Sequence, residues 1–300
     1  MTHSSSRGAA GALVLASLLW GTTGTAASFM PDDVSPLAIG ASTMAVGGIL
    51  LFVVSAGQSL SAIRDVRSRR WLVLGSLGVV VYPLAFYLSM DLAGVAIGNV
   101  VSLGSGPVFA ALLEWALERS RPSRLWAACT AAAIGGVVLL AVGGDGARAA
   151  TVLPGILFGL AAGLAYALYT YCSSRAIRVG GSSRGAMGGM FGMGAIPLLV
   201  VLVFVGAPLV QSQQTVGIAA YLALGPMFVA YMLFGVGMRT LNSSTATTIT
   251  LLEPLVATFL AVLVVGERLA IVGWVGLVLI LVAVTLLATA SHPRRKHAES

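Results

Sequence analysis

Apolar runs of about twenty residues, separated by short polar stretches, repeat along the whole chain. The series begins with residues 9–29, 36–57 and 71–90, and continues through 95–116, 125–143, 154–172, 185–206, 216–238, 243–265 and 270–290. Each run is close to the ~20 residues a helix needs to cross a ~30 Å hydrocarbon core. The apolar residues come in blocks and not at amphipathic spacing, so water on one helix face does not explain them. The pattern predicts an all-α membrane protein with ten transmembrane helices. An N-terminal tail (1–8) and a basic C-terminal tail (291–300) lie outside the runs.

Composition removes the soluble alternative. Hydrophobic residues make up 58% of the 300 positions and charged residues 9%, far too little charge to cover a water-soluble surface. One positive charge precedes the first run, which raises a signal peptide, but Trp20, the glycines and threonines after it and the spans that follow favour a retained helix.

The net charge of +7 changes the picture through its placement. With a cytoplasmic N-terminus, the inner segments hold Arg7, Arg64, Arg67, Arg69, Arg70, Arg119, Arg121, Arg124, Arg175, Arg178, Arg184, Arg239, Arg294, Arg295 and Lys296. The outer loops keep Arg148 and Arg268, beside Asp32, Asp33, Asp91, Asp145 and Glu267. This is the positive-inside asymmetry, so the basic balance reports orientation and not nucleic-acid binding. Both termini are expected in the cytoplasm, as the even span count requires. The near-exclusive use of Arg over Lys points to a GC-rich bacterial genome, and hence to the bacterial inner membrane.

The chain also repeats itself. GSGPVFAALLEWALERSRPSRLW (104–126) resembles LLEPLVATFLAVLVVGERLAIVGW (251–274), with Pro107 falling on Pro254, 147 positions later. Near that offset Trp20 falls on Tyr166, Gly78 on Gly225 and Tyr87 on Phe234. The implied division is 9–146 and 147–290, five helices each. An odd number of spans per half makes the second half inverted, an architecture that places substrate near the midplane between the halves.

Ten spans in two halves, each with a Pro-containing fourth helix and a Trp-bearing stretch after it, resemble the drug/metabolite transporter superfamily, EamA type. LNSSTATTITLLEPLVATFLAVLVVGERL carries the stronger signature, with Glu253-Pro254 and Gly266-Glu267 in the family's places. The first half departs from it: Glu118 stands two positions early relative to Pro107, and no Glu precedes Pro107. Within the superfamily the chain is most similar to the YddG-type aromatic amino-acid exporters. The resemblance implies export of small metabolites by alternating access, without ATP.

Several residues are candidates for lining the path. Glu253 is a carboxylate inside a span, where a charge costs roughly 2.5–3.5 kcal/mol unless it faces a cavity or a partner. Pro254 removes a backbone hydrogen bond beside it, and Ser243, Thr247 and Thr250 share its face of the helix. Two readings stand: a substrate-amine or proton site, or a structural carboxyl bonded to hydroxyls and backbone groups freed by the proline. In the first half, Asn99 and Ser102 sit at i, i+3 before Pro107, as cavity groups or as interhelical hydrogen bonds. Trp20, Tyr82, Tyr87, Tyr166 and Tyr231 are mid-span aromatics with small neighbours, suited to an apolar or aromatic wall or to plain packing. Pro83, Pro107, Pro226 and Pro254 are the expected kinks. Glycines at four-residue spacing, such as Gly155, Gly159 and Gly163, suit close helix packing.

Other functions lose ground. His3, His292 and His297 all lie in the tails, so no span offers an imidazole for a serine protease, a metal or a proton relay. No span contains Asp, against an aspartyl protease, and no long phosphate-binding loop supports ATP-driven transport. Cys129 and Cys172 read as small packing residues. The expectation is a transporter, not an enzyme, with no cofactor or metal. Its partners are a small molecule and the bilayer, not nucleic acid, and the oligomeric state stays open, a monomer being one reading. Neutral or aromatic amino acids lead as substrates. The absence of mid-span Arg or Lys weighs against phosphorylated ones, and Glu253 keeps organic cations as the alternative.

Overall fold

The computed structural model of the protein describes residues 2–119, 124–143, 149–238, 249–250 and 252–290. The described residues form helices joined by short turns. The first run forms α1 (Thr2–Gly21) and the short α2 (Thr23–Ala27), which part at Thr22, whose hydroxyl donates to the Leu19 carbonyl at 2.7 Å. α3 (Pro36–Val54) starts with proline in its first turn and Ser35 accepting the Ala38 N–H, a pairing that satisfies a helix start. α4 (Ala56–Arg64) is a short helix that the apolar pattern did not reveal, because its sequence is polar and amphipathic. Asp65 then caps α5 (Val66–Ala93), followed by α6 (Val95–Glu118) and α7 (Arg124–Val142).

The second half comprises α8 (Ala149–Arg178), α9 (Ser183–Val205, capped by Ser182), α10 (Gln213–Leu222), α11 (Ala230–Gly237), α12 (Leu252–Leu260) and α13 (Ile271–Ala290). A π-helical stretch, Ala223–Val229, joins α10 to α11 around Pro226, and a second, Ala261–Val265, follows α12. Helices α5 and α6 run on through Pro83 and Pro107 as single elements, so Pro226 is the expected kink that coincides with a change of helical type. Pro254 lies in α12, and residues 249 and 250 ahead of it are helical as well, so its missing N–H does not fall at a helix start. Among the described residues, seven helical stretches are long and apolar enough to cross a membrane, and Arg124–Leu139, Leu252–Val265 and Ile271–Ala283 are shorter apolar helices. Large apolar side chains such as Phe204 (81% exposed) and Ile271 (82% exposed) face outward, as a lipid-wetted surface requires.

The two halves are interleaved. α5 packs along α8 and α3 along α9, while α7 pairs with α13 and α1 with α11 and α12. These pairings come in mates: the contact of the third first-half span with the first of the second half (α5 with α8) is mirrored by that of α1 with α11. Likewise α6 against α8 is mirrored by α12 against α1. Small residues permit the close approach. A Cβ on Gly78 would stand 2.6 Å from the Ala165 carbonyl, and the Gly155, Gly159, Gly163 ridge of α8 lies against Ala93, Ser89 and Ser105.

Candidate functional site

The central feature is a cavity of about 740 Å³ between the two halves, within the size range of small-molecule sites. First-half spans contribute Trp20, Thr43, Tyr82, Pro83, Tyr87 and Pro107, and second-half spans contribute Tyr166, Tyr231, Thr250 and Glu253 among others. It reaches the arginine-rich end of the bundle through Val54, Ser55, Ile177 and Arg184, whereas no described residue of the acidic loops at the other end lines it.

Its wall is a continuous chain of rings. Trp20 meets Tyr231 edge to face at 5.4 Å between centroids and Phe234 at 5.7 Å. Tyr231 touches Phe191 at 5.5 Å, and Phe191 touches Tyr169 at 5.5 Å. Tyr169 then packs on Tyr166 at 5.1 Å and Tyr82 at 5.9 Å, and Tyr82 stacks on Phe86 at 5.5 Å. Offset and edge-on contacts of this kind add about 0.5–1.5 kcal/mol per pair beyond burial and hold ring positions. Two hydroxyl contacts add to it: Tyr169 Oη to Tyr231 Oη at 3.2 Å and Thr43 Oγ1 to Tyr87 Oη at 3.5 Å.

Glu253 reaches this cavity because α1 and α12 approach closely. A Cβ on Gly21 would stand 2.6 Å from Val256 Cβ and 3.1 Å from the Glu253 carbonyl, so the glycine after Trp20 brings that indole and the carboxylate to one cavity. The Glu253 side chain has no hydrogen bond or ion pair among the described residues. The one basic side chain among the cavity's described lining residues is Arg184, at the arginine-rich end. Chemically, the site offers an aromatic wall, several hydroxyls and a carboxyl that is unpaired among the described residues.

Of the residues singled out from the sequence, Trp20, Tyr82, Tyr87, Tyr166, Tyr231, Thr250 and Glu253 all line the cavity, as do Pro83, Pro107, Pro226 and Pro254. Asn99 and Ser102 do not: both are fully buried, and their side-chain polar atoms have no hydrogen-bond partner among the described residues. Ser243 and Thr247 lie outside the described residues. Sequence reasoning undervalued Tyr169, the hub of the ring chain, and missed Thr43, although a polar pair (Ser42-Thr43) inside an apolar span is a readable signal. Arg184 carried no such signal, because an arginine near a helix start resembles any interfacial charge. Both cysteines are free and buried, and no cluster of metal-ligating side chains occurs among the described residues.

Comparison with known proteins gives this cavity its setting. An EamA-like transporter family pattern matches the chain twice, over residues 8–142 and 153–289. The uncharacterized transporter YwfM of Bacillus subtilis is 30% identical over 287 residues, covering 95% of this chain and 94% of the relative. An uncharacterized transporter of Clostridium kluyveri is 32% identical over 133 residues, 43% of this chain and 42% of its own. One solved crystal structure shares the fold, with a TM-score of 0.62 at 20% identity over 93% of this chain and 95% of that one. With the family pattern present in both halves and the cavity between them, the chain belongs to the EamA-like transporter family and is a multi-pass membrane transporter.

Proposed function

We propose that this transporter exports amino acids, with neutral and aromatic ones first, or closely related amine-bearing metabolites, by alternating access. The observation that carries the reading is the cavity itself: an aromatic wall, uncharged hydroxyls and a carboxylate between the two halves, reaching the arginine-rich end of the bundle. A zwitterion with an apolar side chain is matched by Glu253 for its amine, the tyrosine and threonine hydroxyls for its carboxylate, and the rings for its side chain. Affinity with the aromatic amino-acid exporters of the superfamily is part of the same proposal.

The topology follows the same logic. The three shorter apolar helices complete ten spans in two inverted sets of five, and the mated pairings between halves support that symmetry. The arginine-rich end, into which the cavity reaches, faces the cytoplasm of a bacterial cell, so substrate enters from inside. Counterflow in proteoliposomes tests the function: vesicles preloaded with each common amino acid, or with a quaternary ammonium dye, are assayed with and without a pH gradient. Exchange of neutral or aromatic amino acids supports the proposal.

A second reading is favoured by one observation. Among the described residues the Glu253 carboxyl has no hydrogen-bond or ion-pair partner, and the cavity's described lining holds no cation deeper than Arg184. That arrangement suits an organic cation, and movement of the dye alone would replace the amino-acid reading with it.

A further inference from the structure

The end of the bundle that the cavity does not reach is tied across the halves by one carboxylate. Gly266, at φ +80°, turns the chain after the second π stretch, and the Glu267 N–H closes that turn on the Ala261 carbonyl at 3.0 Å. The Glu267 side chain then crosses to the start of α6. Its Oε1 accepts the Val95 N–H, and its Oε2 accepts the Ala96 N–H at 3.0 Å. These first-turn donors have no partner within their own helix, and the positive end of the helix dipole favours an anion there.

Other helices of the chain are capped from next door. α3, α5, α9 and α10 are each capped from the residue just before them, by Ser35, Asp65, Ser182 and Ser212. At the same position α6 has Gly94, which has no side chain to offer and holds φ at +96°. A Cβ there would stand 2.9 Å from Glu267 Oε1. The local cap is therefore vacated, and a carboxylate 172 positions away in the other half takes its place. The helix it holds supplies Val100, Leu103, Gly104 and Pro107 to the cavity wall. At the far end of α6, Glu118 is engaged differently, with Arg175 at 3.2 Å, Arg178 at 3.6 Å and the Tyr171 hydroxyl at 3.1 Å. The two ends of the cavity-lining helix are thus bound to the second half in unequal ways.

We propose that Glu267 is the gating residue of the acidic end. Its cap on α6 keeps that end shut while the cavity is open to the arginine-rich end, and it leaves the Val95 and Ala96 N–H groups when access switches. The proposal rests on the transporter reading, but its test needs no substrate, so the two can fail separately. A reporter cysteine replaces Thr43 on the cavity wall, Cys129 and Cys172 become serine, and a membrane-impermeant thiol reagent is applied from each side of sealed vesicles. The unaltered gate gives labelling almost entirely from the arginine-rich side. Glu267→Gln, which removes the charge and keeps the shape, is expected to raise labelling from the acidic side several-fold and to lower it from the other. Gly94→Ala, which pushes a methyl group against the carboxylate without altering it, is expected to shift sidedness the same way. A monodisperse Glu267→Gln protein with unchanged sidedness overturns the proposal. So does failure of both variants to fold, which would make the cap structural.

Discussion

Trp20, from the first half of the chain, and Tyr231, from the second, meet edge to face with centroids 5.4 Å apart. The contact joins the halves across the cavity, and a hydrogen-bonded pair, Tyr231 with Tyr169 at 3.2 Å, stands behind it. A wall built this way is shaped before substrate arrives, which lowers the ordering cost of binding.

Removing the indole should therefore be felt more in recognition than in folding. Trp20→Ala is expected to raise the half-saturating concentration for aromatic substrates about tenfold, equivalent to about 1.4 kcal/mol, with a smaller effect on small neutral ones. Tyr231→Phe, which removes one hydroxyl, should cost about 1 kcal/mol of stability. Counterflow kinetics and thermal melts in detergent separate the two.

Glu253→Gln makes an opposite pair of outcomes. The carboxyl has no partner to orphan among the described residues, so neutralising it should leave the melting temperature unchanged or raise it, because the desolvated charge is gone. Transport of amine-bearing substrates should fall at least about tenfold, the worth of ~1.4 kcal/mol. A melting temperature lowered by many degrees would show that the carboxyl holds the fold together.

Helix spacing gives a third expectation. A methyl group on Gly78 meets the Ala165 carbonyl at 2.6 Å, and backbone cannot swing aside. Gly78→Ala should cost about 1–3 kcal/mol, the usual penalty for overpacking. Gly217→Ala, with nothing within 4 Å of the added atom, should be neutral. Paired denaturation midpoints check both.

Asp65 makes stability depend on acid. The Arg67 N–H at 3.1 Å, the Ser68 hydroxyl at 3.0 Å and the Ser68 N–H at 3.3 Å all favour its charged form, and its carboxyl sits below the ordinary carboxylate range. A lowered folded-state pKa gives stability that is present above the unfolded value and is lost as pH falls through the folded one. Asp65→Asn should thus melt below the parent at neutral pH, with the gap closing on acidification. A gap constant between pH 7 and about 3 would contradict this linkage.

The elements were legible in the sequence wherever they depend on local solubility. A twenty-residue apolar run has one stable answer in a bilayer, a helix that satisfies its own backbone, so the runs at 36–57 and 71–90 led directly to α3 and α5. The polar helix Ala56–Arg64 escaped because it carries no such signal. Mid-span aromaticity and the Glu253 carboxylate pointed to much of the cavity's lining, since both are conspicuous in lipid, whereas the mid-span amide and hydroxyl at Asn99 and Ser102 did not.

The sequence by itself determined the membrane class, the duplicated halves, the sorting of arginine to one end and the presence of a buried carboxylate, because each follows from the solvation of local groups. Only the tertiary structure decided that Glu253 faces an aromatic cavity while Asn99 and Ser102 are sealed away from it. It alone joined Glu267 to the start of α6. Which way a side chain points from a helix that is apolar all round is set by the neighbour it packs against, and that neighbour comes from the other half of the chain.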